Sequence, residues 1–337
     1  MAISQTRLTF LFAGKYNTNG DKYTQFSKSD LDNLSHVTGF VVGVTGIYDV
    51  YKTGPFTHLI SDVMAQVKIV AQTGKPFYIG IPAVDFDSTT YTRRSADYTN
   101  IKSNYIQQIW SQISATSTYK NLFKGFYWTN ERVFGTTNVS SPTSNAQIGL
   151  LNDLAYTIRN DTSLGIRKEF IWSPYLGYNS TYYEINTNIG IIANRTNIFN
   201  TVFLQSNYYF TPAPDKGAWN GSSGIIPQTL DMAVKSATDN KLYNFAAKGN
   251  FNSYSVVGGT KTSNTKIALN MEAEDTLKGK QSTYSPYYKT ACAKMKIPLL
   301  NGSCPFIFYA GSYNGIVKAN LRASIEGFYT DGSCVLP

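Results

Sequence analysis

Short apolar runs recur along this chain, and several end abruptly on polar or acidic residues. Eight stand out: Leu8–Tyr16, Val37–Val44, Pro76–Val84, Phe123–Asn130, Glu169–Tyr175, Thr201–Tyr209, Lys266–Glu272 and Pro305–Ser312. They lack helical periodicity, and their interiors are rich in β-branched and aromatic residues. Strands buried on both faces of a parallel sheet have this pattern. Between them lie longer stretches with helical spacing, clearest at Phe56–Thr73, Tyr98–Ser114 and Ser144–Arg159. In the last, Ile148, Leu151, Leu154, Ala155 and Ile158 fall on one face.

Eight repeats of strand then helix predict an α/β chain closed into a (β/α)8 TIM barrel. A doubly wound open sheet is the alternative, but it usually carries a glycine-rich first turn that is missing here. Residues 1–337 read as a single catalytic barrel domain, with no linker and no repeat beyond the βα unit. The stretch 211–265, between the sixth and seventh strands, is too long for a plain crossover. Its Pro-Ala-Pro start and the Gly/Ser/Asn-rich Lys248–Asn264 predict an insertion, a helix plus an excursion over the barrel mouth.

Composition narrows the chemistry. At 42% hydrophobic residues the chain can bury a large core, and no apolar run is long enough to span a bilayer. The net charge of +9 comes from scattered Lys and Arg, so no nucleic-acid stripe is present. That charge reads first as a soluble basic surface, with attraction to an acidic polymer as the alternative. The two histidines, His36 and His58, both fall early in the chain and away from strand tips. This argues against a Ser-His-Asp triad and a His-rich metal site, and no metal or organic cofactor is expected. Nucleotide and redox motifs are absent as well. Cys292, Cys304 and Cys334 lack zinc spacing; one Cys304–Cys334 disulfide or three free thiols are the open alternatives. Low charge with abundant Tyr, Asn, Ser and Thr suits a secreted or extracellular protein, though no signal peptide is visible at the start.

The candidate chemistry lies at the strand tips. Barrel active sites collect at the carboxyl ends of strands. The run Phe123-Lys-Gly-Phe-Tyr-Trp-Thr-Asn-Glu131 ends strand four on Asn130 and Glu131, and Glu272 ends strand seven. Strands four and seven face each other across a barrel mouth, so the two carboxylates can flank a sugar. Glycoside hydrolysis needs such a pair, one protonated acid and one carboxylate. Partial burial beside the second carboxylate would keep Glu131 protonated. Strand alternation places Ala268, Asn270, Glu272 and Glu274 on one face, which makes Glu272 the expected nucleophile and Glu274 its understudy. Gln205, Asn207 and Tyr209 share a face on strand six and are candidate sugar contacts, as are Asn130, Asp85, Tyr175 and Tyr313. Trp128 and Trp172 read as packing.

Asn130-Glu131 at the end of strand four, with Glu272 ending strand seven, resembles the retaining glycoside hydrolases of clan A. That resemblance implies Glu131 as acid/base and Glu272 as nucleophile; Arg132 stands where a Pro commonly follows the Glu. Gly-Phe-Tyr-Trp-Thr-Asn-Glu, Ile171-Trp-Ser-Pro-Tyr175, Leu204-Gln-Ser-Asn-Tyr-Tyr209 and Met271-Glu-Ala-Glu274 are similar to a bacterial domain-of-unknown-function family of barrel-type glycoside hydrolases. The expected function is cleavage of a polysaccharide or glycan by a retaining mechanism. The alternatives are an inverting hydrolase with Asp85 or Glu274 as base, and a glycan-binding barrel without catalysis. No nucleic-acid or membrane partner is expected.

Overall fold

The computed structural model of the chain describes residues 6–17, 19–45, 56–84, 94–131, 146–174, 197–205, 234–236, 239, 241, 243–247, 250–256, 265–273 and 305–331. In chain order the strands are β1 (Arg7–Ala13), β2 (Gly39–Val44), β3 (Phe77–Ile81), β4 (Phe123–Trp128), β5 (Glu169–Trp172), β6 (Thr201–Gln205), β7 (Tyr243–Ala247), β8 (Asn250–Val256), β9 (Lys266–Glu272) and β10 (Phe306–Tyr309). All but β7 and β8 form a closed parallel barrel in the order β1-β10-β9-β6-β5-β4-β3-β2. Each of the eight strand-like runs of the sequence therefore contains a barrel strand. Between β6 and β9, β7 and β8 pair as an antiparallel hairpin that the sequence reading did not anticipate. The rest of 211–265, apart from a few helical positions and Thr265, lies outside the described residues, as do all three cysteines.

Two apolar layers hold the barrel. Alternate residues Leu8, Phe10, Val41, Tyr78, Tyr127, Ile171, Phe203, Ala268 and Ile307 fill its interior. Their neighbours in sequence, such as Leu11, Val42, Ile79, Trp128, Leu204, Leu269 and Met271, face the helical shell. Each such side chain removed from water contributes about 1.5–3 kcal/mol, so both faces of every strand must be apolar. The helix Thr57–Gln72 shows the matching pattern, burying Leu59, Ile60, Val63, Val67 and Val70 along one stripe. It stops at Thr73 and Gly74, whose φ of 71° suits glycine at a helix end. Among the described residues no helix is long and apolar enough to cross a membrane.

One irregularity decides what β4 presents inward. The β3–β4 register shifts between Phe77 and Tyr78, which pair with Phe123 and Gly125, leaving Lys124 as the extra, exposed residue. The bulge reverses the alternation, so Phe123, Phe126 and Trp128 all pack outward while Tyr127 points into the barrel. Gly125 is required there: a Cβ would come within 1.9 Å of the Glu169 carbonyl oxygen.

Candidate active site

The tip of β4 is built as a braced turn. Asn130 is buried, and its amide clasps the backbone of Val84 beyond β3, accepting from the N–H at 2.9 Å and donating to the carbonyl at 2.8 Å. The Asn130 carbonyl in turn accepts from Trp172 Nε1 at 2.7 Å. Trp172 is fully buried and stacked on Phe199, so the packing role read from the sequence is joined by a polar one. Glu131 follows this anchored residue and is exposed, in contrast to the partial burial expected of it.

A second brace reaches Glu131 from β6. Gln205, 5% exposed, donates from Nε2 to Glu131 Oε1 at 3.0 Å and to the Ser173 carbonyl at 2.9 Å. Ser173, just past β5, donates its hydroxyl to the Phe203 carbonyl at 3.0 Å and accepts from Asn270 Nδ2 at 2.9 Å. The tips of β5, β6 and β9 are thus linked by side chains below the mouth. Asn270 is 2% exposed, and its Oδ1 has no hydrogen-bond partner among the described residues. Two residues further along the same face stands Glu272, 3% exposed at the end of β9.

Tyr127 stands near both glutamates. It lies in the barrel interior, ring edge against Phe10 at 5.2 Å. Burial, then the charge of Glu131, then that of Glu272, push its phenol well above the usual tyrosine range. Both carboxylates are therefore near enough to this buried hydroxyl to disfavour its ionisation. At the other end of the barrel Tyr78 donates to Glu169 Oε2 at 2.5 Å, and burial chiefly raises its phenol likewise.

The remaining candidates divide. Tyr313 is half-buried, its ring edge-on to Phe26 at 5.3 Å and packed on the outer apolar layer. Asp85, Tyr175, Asn207, Tyr209 and Glu274 lie outside the described residues. Ser173, Asn270 and Tyr127 join the site without having been singled out as candidates. Asn270 was readable, since it shares the inward face of Glu272; Tyr127 was hidden by the bulge that turns it inward. Among the described residues no group of three or more His, Cys, Asp or Glu could hold a metal ion.

A scan against protein-family models finds no match, and a search of curated proteins finds none either. Solved structures do match. A GH5-4 broad specificity endoglucanase from Clostridium cellulovorans is 13% identical with a TM-score of 0.54, covering 98% of this chain and 94% of the other. Its counterpart from Clostridium acetobutylicum is 14% identical with a TM-score of 0.53, covering 96% of each chain. The Legionella pneumophila ChiA C-terminal domain is 14% identical with a TM-score of 0.52, covering 98% of this chain and 100% of the other. The chain shares the barrel fold of these structures.

Proposed function

We propose that this chain is a retaining glycoside hydrolase acting on a polysaccharide or glycan. Glu131 protonates the glycosidic oxygen as the bond to the anomeric carbon breaks, and a carboxylate oxygen of Glu272 forms the new bond to that carbon. Water then attacks the same carbon, Glu131 takes the water proton, and the Glu272 carboxylate leaves. The observation carrying this reading is the hydrogen-bonded path from Glu131 through Gln205 and Ser173 to Asn270, two residues before Glu272 on the same face of β9. The assignment of roles follows the resemblance of Asn130-Glu131 and Glu272 to the strand tips of clan A retaining enzymes, and the exposure of Glu131 leaves it open to a leaving oxygen and then to water. The endoglucanase neighbours make a polysaccharide the first substrate class to try.

The test is hydrolysis of neutral and acidic polysaccharides by wild type, Glu131→Gln and Glu272→Gln, with mass spectrometry of the products and NMR of the first anomer released. Wild-type cleavage that falls roughly 10²–10⁴-fold in each variant supports the assignment. An inverted anomer rejects Glu272 as nucleophile. Binding without cleavage, unchanged in both variants, means a glycan-binding barrel instead.

A further inference from the structure

We propose that the rim of the barrel beside β1 carries a platform for a sugar unit remote from the scissile bond, formed by Tyr16 and Tyr23 and backed by Phe12. The proposal rests on the hydrolase reading above and assigns it a further binding site.

After β1 the chain turns at Gly14 and folds back in a tight loop. Tyr16 N donates to Asp21 O at 2.8 Å, Tyr23 N donates to Gly14 O at 2.9 Å, and Lys15 bridges Lys22. Inside the loop Asp21 N donates to Asn17 Oδ1 at 3.0 Å. Outside it, Thr45 Oγ1 donates to the Lys15 carbonyl at 3.0 Å, and Lys22 pairs with Asp62 of the helix Thr57–Gln72 at 2.8 Å. The loop is therefore held by its own backbone, by the end of β2 and by the helical shell. Its aromatic side chains stand on a rigid support, and little ordering remains to oppose binding.

The rings form a continuous series. Phe10 and Phe12 stack at 5.7 Å with planes 11° apart, Phe12 and Tyr23 at 5.4 Å and 30°, and Tyr23 leans on Tyr16 at 5.2 Å and 55°. Tyr309 closes against Phe12 edge-on at 5.9 Å. β2 leaves room for this series at Gly43, where a Cβ would meet the Phe12 ring at 2.8 Å. Exposure rises outward, from 3% at Phe10 through half-buried Phe12 and Tyr23 to 42% at Tyr16. Core packing explains the inner end of the series, while Tyr16 at the outer end presents its ring to solvent. The inner end touches Tyr127 of β4, so ring contacts run from the barrel interior at the candidate site out to solvent. Amphipathic tyrosine rings, apolar on the face and hydrogen-bonding at one edge, match the mixed C–H and hydroxyl surface of a pyranose. A sugar chain lying between the two glutamates and extending over the β1 side of the mouth would meet them.

The experiment measures binding of cellohexaose, xylohexaose, mannohexaose and chitohexaose, and of the corresponding trisaccharides, to the Glu131→Gln protein by calorimetry. Tyr16→Ala and Tyr23→Ala, each in that background, should weaken hexasaccharide binding about tenfold or more, and trisaccharide binding by less. Tyr16→Phe should retain binding, and Tyr156→Ala, on the helix Ala146–Arg159 and 59% exposed, should leave it unchanged. An unchanged melting temperature in Tyr16→Ala separates lost stacking from lost folding. Equal hexasaccharide affinity in Tyr16→Ala, or no binding of any probe, overturns the platform. Cleavage by wild type is scored separately. Probes cut by wild type but held equally by Tyr16→Ala refute the platform alone, whereas Tyr16-dependent binding without cleavage refutes the hydrolase alone.

Discussion

The amino group of Gln205 is shared between Glu131 and the backbone of Ser173, at 3.0 Å and 2.9 Å. A carbonyl only accepts, so the nitrogen and not the oxygen of the Gln205 amide must face Ser173. Both amino protons are then committed, and Glu131 Oε1 always faces an N–H. In the proposed mechanism the transferable proton of Glu131 accordingly sits on Oε2. Gln205, a candidate sugar contact, also holds the Glu131 carboxylate through its amino group.

Replacement of Gln205 separates those two roles. Gln205→Leu keeps the bulk and removes both donations. A positioning role predicts that kcat falls roughly 10–10²-fold with KM little changed, because a small displacement of a reacting group is costly. A KM that rises while kcat holds would instead make Gln205 a sugar contact. The buried Ser173 carbonyl loses a partner too, which should cost about 1–3 kcal/mol in a denaturant titration.

The buried phenols make stability depend on alkaline pH. Burial chiefly, then neighbouring carboxylates, raise both Tyr78 and Tyr127 well above the ordinary 10.0. A group raised in the folded state contributes stability that is complete below its unfolded pKa and is lost as pH climbs toward the folded one. Unfolding midpoints should therefore fall above about pH 10. Lys75 and Lys168, lowered mainly by burial from 10.5, work in the opposite direction in neighbouring pH ranges. The informative quantity is thus the difference from wild type: Tyr78→Phe and Tyr127→Phe should each flatten the alkaline decline. A decline of equal slope in both variants would reject the assignment.

Much of the barrel was legible because parallel strands buried on both faces cannot be amphipathic. Gly39–Val44 is buried throughout, and Lys266–Glu272 is buried from its second residue on. The site was half legible for the same reason: alternation along β9 placed Asn270 and Glu272 on the inward face. What stayed hidden depends on contacts distant in sequence. The bulge at Lys124 accompanies the close approach of Gly125 to the Glu169 backbone, and the ring series at β1 joins residues 10, 12, 16, 23 and 309 through a loop that begins after Ala13, inside the run read as strand to Tyr16. The β7–β8 hairpin was masked by the Asn, Ser and Gly content of its surroundings.

Asn130 should matter through the backbone of Val84. Its amide supplies that residue with both a donor and an acceptor, much as a neighbouring strand would. Asn130→Ala leaves two backbone groups without that partner and frees the turn carrying Glu131. The expected result is a loss of about 1–3 kcal/mol in stability, with kcat reduced more than KM is raised. Asn130→Asp keeps the acceptor for Val84 N–H and sets a carboxylate against its carbonyl, so it should be no better than Ala. A variant with full stability and a raised KM would return Asn130 to direct sugar binding.

Gly125→Ala tests whether the bulge in β4 creates the site. An added methyl would lie 1.9 Å from the Glu169 carbonyl oxygen, closer than any adjustment of a flexible side chain could relieve. Either β4 separates from β5 or the bulge is expelled. Overpacking of this kind costs about 1–3 kcal/mol or more, seen as a lower chemical-denaturation midpoint. If the bulge is expelled, the inward and outward faces of β4 exchange, Tyr127 leaves the barrel interior and Trp128 enters it. Activity should then be lost in the fraction that remains folded, with altered near-ultraviolet circular dichroism. A folded, fully active Gly125→Ala protein would mean that the register shift has no part in presenting Tyr127 and Glu131 to the mouth.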